Sequence, residues 1–451
     1  MAWGEMAGGQ PVVERLAVHT VQVPDPGDLL AALPESDVAA WVRRGAGIVG
    51  WGEAAQVTLP AGNDRFATAE KWLREVFDEA ATRDEVGAHG TGLIAFGSFT
   101  FDDCSDGSVL TIPRVVLGRD GSGLAWLTTI TTAGTDRADV IPVPSGVAVP
   151  SAGAVPSAGA VPSDDAVPSD DAVPSDDAGA IRWQDGTLSS AGYQDAVAAA
   201  VRRIIRGDLR KVVLARDVHA TAERPFDSHA VLARLAARYP DCYTFACGGL
   251  VGATPELLIR RDGDEARSLV LAGTTPRGAT PEDDARLAAR LLGSAKEVEE
   301  HLYAAASVRD VLAPLCESLD VSPPELLTLP NVHHLATRVV GRLATDRSAL
   351  ALAAALHPTA AVGGDPTDVA VELIRELESM DRGRYAGPVG WLDANGNGEW
   401  CIALRCAELD GNQARLFAGC GIVAGSDPAT ELAETLAKLR PMLMALDPGS
   451  A

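Results

Sequence analysis

Positive charge is in short supply in this sequence. Its 451 residues carry 38 Lys and Arg against 62 Asp and Glu, a formal charge of −24. Nucleic acids and anionic membrane surfaces are held mainly by cationic side chains that neutralise phosphate, so neither is an expected partner. Long apolar runs are missing too: the most apolar one, Ala349 to Leu356, is far short of the roughly 20 residues of a membrane-spanning helix. The opening residues, MAWGEMAGGQPVVERLAV, have neither the basic nor the apolar region of a secretory leader. These absences predict a soluble, cytoplasmic protein. The seven cysteines (104, 242, 247, 316, 401, 406 and 420) are sparse and include no C-x-x-C pair, which favours reduced thiols over a disulfide framework or a zinc site.

What is present is a long chain with one interruption. At about 150 residues per domain the length suits about three domains or one large α/β unit. From Ser145 to Ala178 the sequence repeats AVPSAG and then AVPSDD. Pro, Ser and paired Asp cannot bury enough apolar surface to offset ordering entropy, so residues 145–178 are expected to form a disordered linker. It separates residues 1–144, which mix short apolar runs with an amphipathic stretch from Arg65 to Ala81, from residues 179–451. In the longer part, Tyr193, Val197, Val201, Ile204 and Ile205 fall at helical spacing and stop at Gly207. KVVLARDV then reads as a strand. Further helices over 282–292, 295–312, 348–356, 367–378 and 429–440 alternate with strand-like runs, which predicts a mixed α/β chain.

Several residues on this framework could carry chemistry, each with a bland alternative. Lys211 opens KVVLAR, where desolvation could tune an amine toward general-base service, or the ammonium could simply snorkel into water. Glu256 follows Pro255 at the entrance to an apolar strand. In SAKEVEEH, Ser294 and Glu297 have the spacing of a capping box, which gives Glu297 a structural job and leaves Glu300, one turn on, as a metal-type carboxylate. Asp427 and Pro428 start a last helix whose Glu431, Glu434 and Lys438 share a stripe. That stripe suits a hard divalent cation beside an anion, or equally a solvated face with a Glu434–Lys438 pair. DANGNGEW imitates a calcium loop, but Leu404 stands where the bidentate Glu belongs, so it reads as a hairpin turn. Gly419 and Gly421 lack the full dinucleotide pattern and fit close backbone approach to a ligand. His19, His89, His333, His334 and His357 have no metal-type spacing.

Taken together, KVVLAR, GATPELL, LAGTTPRG, SAKEVEEH, LHPTAAVGG, GRYAGPVGWLDANGNGEWCIALRCAEL and LFAGCGIVAGSDPATELAETLAKL resemble the chorismate-utilising enzymes, and within them the isochorismate synthases. The resemblance covers about 183–445 densely. It implies one large α/β (α+β) domain with two packed β-sheets, in which residues 1–144 form the more variable half. It also implies a Mg²⁺-dependent isomerase that interconverts chorismate and isochorismate. Lys211 would activate water for addition at C2, and Glu256 would protonate the departing C4 hydroxyl. Glu300 and Glu434, with Glu431 through water, would hold Mg²⁺. Tyr385, Arg405, Lys438 and the backbone at Gly419 would hold the enolpyruvyl carboxylate, and Gly273 would lie by the C4 hydroxyl. Asp381 and Cys420 depart from the usual pattern, where Glu and Ala are commoner.

Amine-transferring relatives typically carry Gln in place of Lys211, and some carry Lys in place of Ala272. This chain has Lys211 and Ala272, and no glutaminase subunit is expected. Salicylate formation and a catalytically silent chorismate-binding module stand as alternatives. The sequence leaves open whether the product feeds menaquinone or siderophore biosynthesis.

Overall fold

Short β-branched and aromatic runs dominate the first part of the chain and form strands, as their pleat-filling shapes favour. The structure, a computed structural model, describes residues 15–34, 37–132 and 178–450; the repeat segment up to residue 177 lies outside the described residues. The first part comprises β1 (Leu16–Val23), β2 (Val38–Arg43), β3 (Ala46–Trp51), β4 (Ala55–Leu59), α1 (Arg65–Glu79), β5 (Ala81–Asp84), β6 (Ile94–Ser98), β7 (Ser108–Ile112), β8 (Val115–Arg119) and β9 (Ala125–Thr132). After the repeats come β10 (Ile181–Asp185), α2 (Ser190–Ile205), β11 (Lys211–Ala222), α3 (Ser228–Arg238), β12 (Tyr243–Cys247), β13 (Leu250–Thr254), β14 (Leu257–Asp262) and β15 (Glu265–Pro276). They are followed by α4 (Pro281–Gly293), α5 (Ala295–Leu312), β16 (Cys316–Val321), β17 (Glu325–Thr328), β18 (Val332–Leu343), α6 (Ala349–Leu356), β19 (Gly364–Asp365) and α7 (Thr367–Glu378). The chain finishes with β20 (Pro388–Asp393), β21 (Gly398–Ile402), β22 (Cys406–Asp410), β23 (Gln413–Ile422) and α8 (Pro428–Leu446).

Among the described residues these strands make two sheets. One runs β10-β11-β23-β22-β13-β12-β2-β3-β8-β9-β1-β5, with β19 beside β11. The other runs β16-β18-β15-β14-β21-β20-β6-β7-β4, with β17 beside β18. Each crosses from one half of the chain to the other, at β12–β2 and at β20–β6. One apolar core joins residues of both sheets, including Phe96, Phe99, Phe245 and Trp400. A second core sets Val231 and Leu235 of α3 and Leu439 and Met442 of α8 against strands of the larger sheet. This is the two-sheet α/β architecture expected from the sequence.

The helix ends follow local chemistry. Side chains of Ser189, Asp227, Thr280, Ser348 and Asp427 accept amide hydrogens as N-caps. The last helix departs from the sequence reading, which ends it at 440: α8 continues through Pro441 to Leu446. Pro441 removes one backbone donor, and the buried side chains of Met442, Ala445 and Leu446 hold the helix in place beyond it. The DANGNGEW turn is a hairpin between β20 and β21, in which Asp393 Oδ1 accepts the amides of Asn395 and Asn397, each at 2.8 Å.

Candidate active site

Both sheets contribute strand ends to one pocket, whose walls include Glu256, Gly273, Glu300, Arg405, Gly419 and Lys438. Tyr385, His334, Arg382 and Glu434 also line it.

Lys211 is the first residue of β11. The snorkelling alternative fails, because its side chain is 0% exposed and its Nζ lies 3.2 Å from Glu300 Oε1. Its near neighbour Val213 lines the cavity, and residues two apart on a strand face the same way. Opposite on β23, a Cβ at position 421 would overlap Glu300 Oε1 and come within 2.9 Å of Lys211 Cε. Only glycine leaves room there for the lysine–carboxylate pair.

Glu256 sits between β13 and β14, 5% exposed, with its backbone carbonyl accepting from Ile402 N at 3.1 Å. Burial raises its pKa to about 7, against the opposing pull of a backbone hydrogen bond at Leu271 and the charges of Lys211, Arg405 and Lys438. A carboxyl poised there can donate a proton at neutral pH.

The wall around Gly273 is an irregularity in β15, where the pairing with β18 shifts between Ala272 and Thr274 and Gly273 adopts φ +78°. Here the structure corrects the sequence reading of Glu297. Ser294 Oγ does cap α5 by accepting Glu297 N at 3.4 Å, but the Glu297 carboxylate accepts Thr274 N at 3.2 Å, next to Gly273. The carboxylate satisfies a strand amide freed by the bulge, so Glu297 supports the pocket wall at Thr274 from behind. One turn on, His301 Nδ1 faces the Ala272 carbonyl at 3.1 Å and must donate to it, so Nε2 accepts from Thr337 Oγ1 at 2.7 Å. Burial lowers the His301 pKa to about 4, keeping it neutral and locking α5 to β15 and β18.

His334 is a functional candidate that sequence spacing missed. Its Nδ1 shares a 3.0 Å hydrogen bond with the Thr274 hydroxyl, and its buried Nε2 has no hydrogen-bond partner among the described residues. Burial and the charges of Arg405 and Lys438 hold it well below the usual histidine range, so it is neutral. The adjacent His333 instead pairs with Asp284 at 2.9 Å.

The cationic wall comes from Arg405 and Lys438. Arg405 takes the uncommon φ of +49° and makes no ion pair among the described residues. Lys438 donates to the Gly419 carbonyl at 2.9 Å and lies 2.6 Å from Glu434 Oε1. Burial pulls its pKa down, but the neighbouring Glu434 outweighs this and holds it above the usual lysine value. The Glu434–Lys438 pair that the sequence allowed on a solvated face is thus part of the cavity. Tyr385 stacks on Phe417, with ring centroids 5.0 Å apart. Buried Arg382 braces the floor, donating to the carbonyls of Val213 (2.8 Å) and Val362 (2.9 Å) and to both oxygens of Glu378.

Two carboxylates expected to bind metal lie together: donor atoms of Glu431, Glu434 and Cys420 are all within 4.8 Å of one another. Glu300 lines the same cavity as Glu434. Oxygen donors of this kind suit a hard cation such as Mg²⁺, which is usually held by one or two carboxylates plus substrate and water. Glu431 is buried, 2% exposed.

Residues 17–447 match the family model for a chorismate binding enzyme. The isochorismate synthase DhbC of Bacillus subtilis is 43% identical over 267 residues, which span 56% of this chain and 67% of that protein. The isochorismate synthase EntC of Escherichia coli is 42% identical over 257 residues, 56% of this chain and 66% of that protein. Among solved structures, MenF, the menaquinone-specific isochorismate synthase from Escherichia coli, superposes with a TM-score of 0.74 at 26% identity, covering 96% of this chain and 95% of that one. Of the described residues, no helix is long and apolar enough to cross a membrane.

Proposed function

The chain belongs to the chorismate-binding enzymes, and from that premise we propose that it acts as an isochorismate synthase, interconverting chorismate and isochorismate. The observation that carries this reading is an acid and a base buried at one cavity, Glu256 with its pKa near 7 and Lys211 with no exposure. Lys211 takes a proton from a water that adds at ring carbon C2. The double bonds shift, the C4–oxygen bond breaks, and Glu256 gives its proton to the departing hydroxyl. One water enters and one leaves, so the net change is an isomerisation. Exchange with solvent returns the proton to Glu256 and removes it from Lys211, and the reverse reaction uses the same groups with their roles exchanged.

The substrate's two carboxylates need opposite charge. Arg405 and Lys438 stand ready for the enolpyruvyl carboxylate, where the planar guanidinium can bind both oxygens, and Tyr385 and the backbone at Gly419 border the same pocket. Gly273, in the bulge of its strand, borders the pocket where the C4 hydroxyl would lie. Glu300, Glu434 and Glu431 would hold Mg²⁺, which when bound supplies positive charge to the ring carboxylate. His334, neutral, offers Nε2 to the substrate.

Product analysis tests the reading. Purified protein given chorismate and Mg²⁺ alone should form isochorismate as the only product. Salicylate with pyruvate would indicate the lyase branch instead, and unchanged chorismate would indicate a silent binding module.

A further inference from the structure

Each of the two cavity carboxylates assigned to the cation already holds a lysine. Lys211 Nζ lies 3.2 Å from Glu300 Oε1, and Lys438 Nζ lies 2.6 Å from Glu434 Oε1. Neither pair is a loose surface contact, since the four side chains are between 0% and 27% exposed. The first is built into the backbone by Gly421, as any side chain there would displace Glu300. Lys211 Nζ is buried and otherwise without a hydrogen-bond partner among the described residues. Lys438 has one further acceptor, the Gly419 carbonyl.

A cation such as Mg²⁺ would bind these carboxylate oxygens directly. An ammonium held at hydrogen-bonding distance from the same group is a like charge in a poorly screened site. Resting on the functional reading above, we propose that Lys211 and Lys438 are internal counter-ions that compete with the divalent cation for Glu300 and Glu434. Coordination and substrate binding then release both lysines in one event: Lys211, no longer paired with its carboxylate, gives its ammonium proton to solvent and faces the attacking water as a neutral amine, and Lys438 turns toward the substrate carboxylate. The charge of the carboxylates is balanced before and after the exchange. Because the substrate takes up a lysine that Glu434 would otherwise hold, substrate and cation each strengthen the binding of the other, and that coupling is reciprocal.

The test is Mn²⁺ binding to the full-length protein, read from the electron paramagnetic resonance of the free ion, which needs no turnover. Lys211→Gln and Lys438→Gln should each bind Mn²⁺ at least about tenfold more tightly than the wild type, a change of about 1.4 kcal/mol. Lys211→Arg, which keeps the charge, should not. Lysines that merely hold the carboxylates in place would give the opposite sign, so weaker or unchanged binding in the Gln variants overturns the proposal. If Lys211→Gln does not fold, Lys438→Gln carries the same prediction at the other carboxylate. Chorismate should tighten Mn²⁺ binding in the wild type and do so much less in Lys438→Gln; an undiminished increment would also overturn the proposal. A wild type that binds no Mn²⁺ with or without chorismate would instead remove the cation assignment itself, and this inference with it.

Discussion

Glu256 shows how one residue acquires chemistry that its neighbours in the sequence do not reveal. Burial raises its pKa from 4.5 to about 7, so between these values the folded protein keeps a proton that the unfolded chain releases. The sign follows: this proton stabilises the fold fully below pH 4.5, and its contribution is lost as pH rises through about 7, a change of about 3 kcal/mol. Denaturant melts of the wild type should therefore lose stability across that window relative to Glu256→Gln, and parallel pH profiles would mean that burial does not perturb the group. In turnover, Glu256→Gln and Lys211→Ala should each lose about 10² to 10⁴ in kcat. The double variant should lose far less than the product of the two, because both groups serve one substitution. In the sequence, Lys211 reads locally as either a tuned amine or an ordinary strand-end lysine, and only the family resemblance favours the first. Its complete burial depends on Gly421, more than two hundred residues away on the paired strand. His334 is hidden in the sequence for a related reason. Metal-type spacing does not mark it; the strand period of two, which sends His333 to Asp284 and His334 to the pocket, does.

At the scale of elements, helix positions were legible because caps and periodicity are local. Ser294 caps α5 and Asp427 caps α8 as their sequences indicate. What the first turn of α5 touches was not legible, since the Thr274 amide that Glu297 accepts comes from a bulge twenty-three residues earlier. The two roles separate by mutation. Ser294→Ala should cost about 1 kcal/mol of stability with little change in turnover. Glu297→Ala should leave the melt nearly as stable as that of Ser294→Ala but reduce kcat about tenfold or more, by freeing the strand that carries Gly273. Paired melts and steady-state kinetics check this, and equal kinetics for the two variants would return Glu297 to a purely capping role. The end of α8 was misread for the converse reason: Pro441 is a local stop signal, and the buried contacts that override it are tertiary.

For the whole molecule, the class of fold followed from alternating strand and helix patterns, whereas the order of strands did not. Pairings such as β2 with β12 and β6 with β20 join segments about 200 and 300 residues apart in the chain, and no local pattern encodes them. Those pairings make each sheet continuous across both parts of the chain, and the cavity collects strand ends and helix faces from 213 to 438. The same assembly brings Arg405 and Lys438 to one pocket within a protein of net charge −24. The central claim is that this cavity adds solvent water to C2 of chorismate while releasing the C4 oxygen. It is tested most directly by running the reaction in heavy-oxygen water and locating the label by mass spectrometry at early times. The account predicts isochorismate carrying one solvent oxygen, at C2, before label appears in the remaining chorismate. Isochorismate whose C2 oxygen is unlabelled, as an internal hydroxyl migration would give, would contradict it.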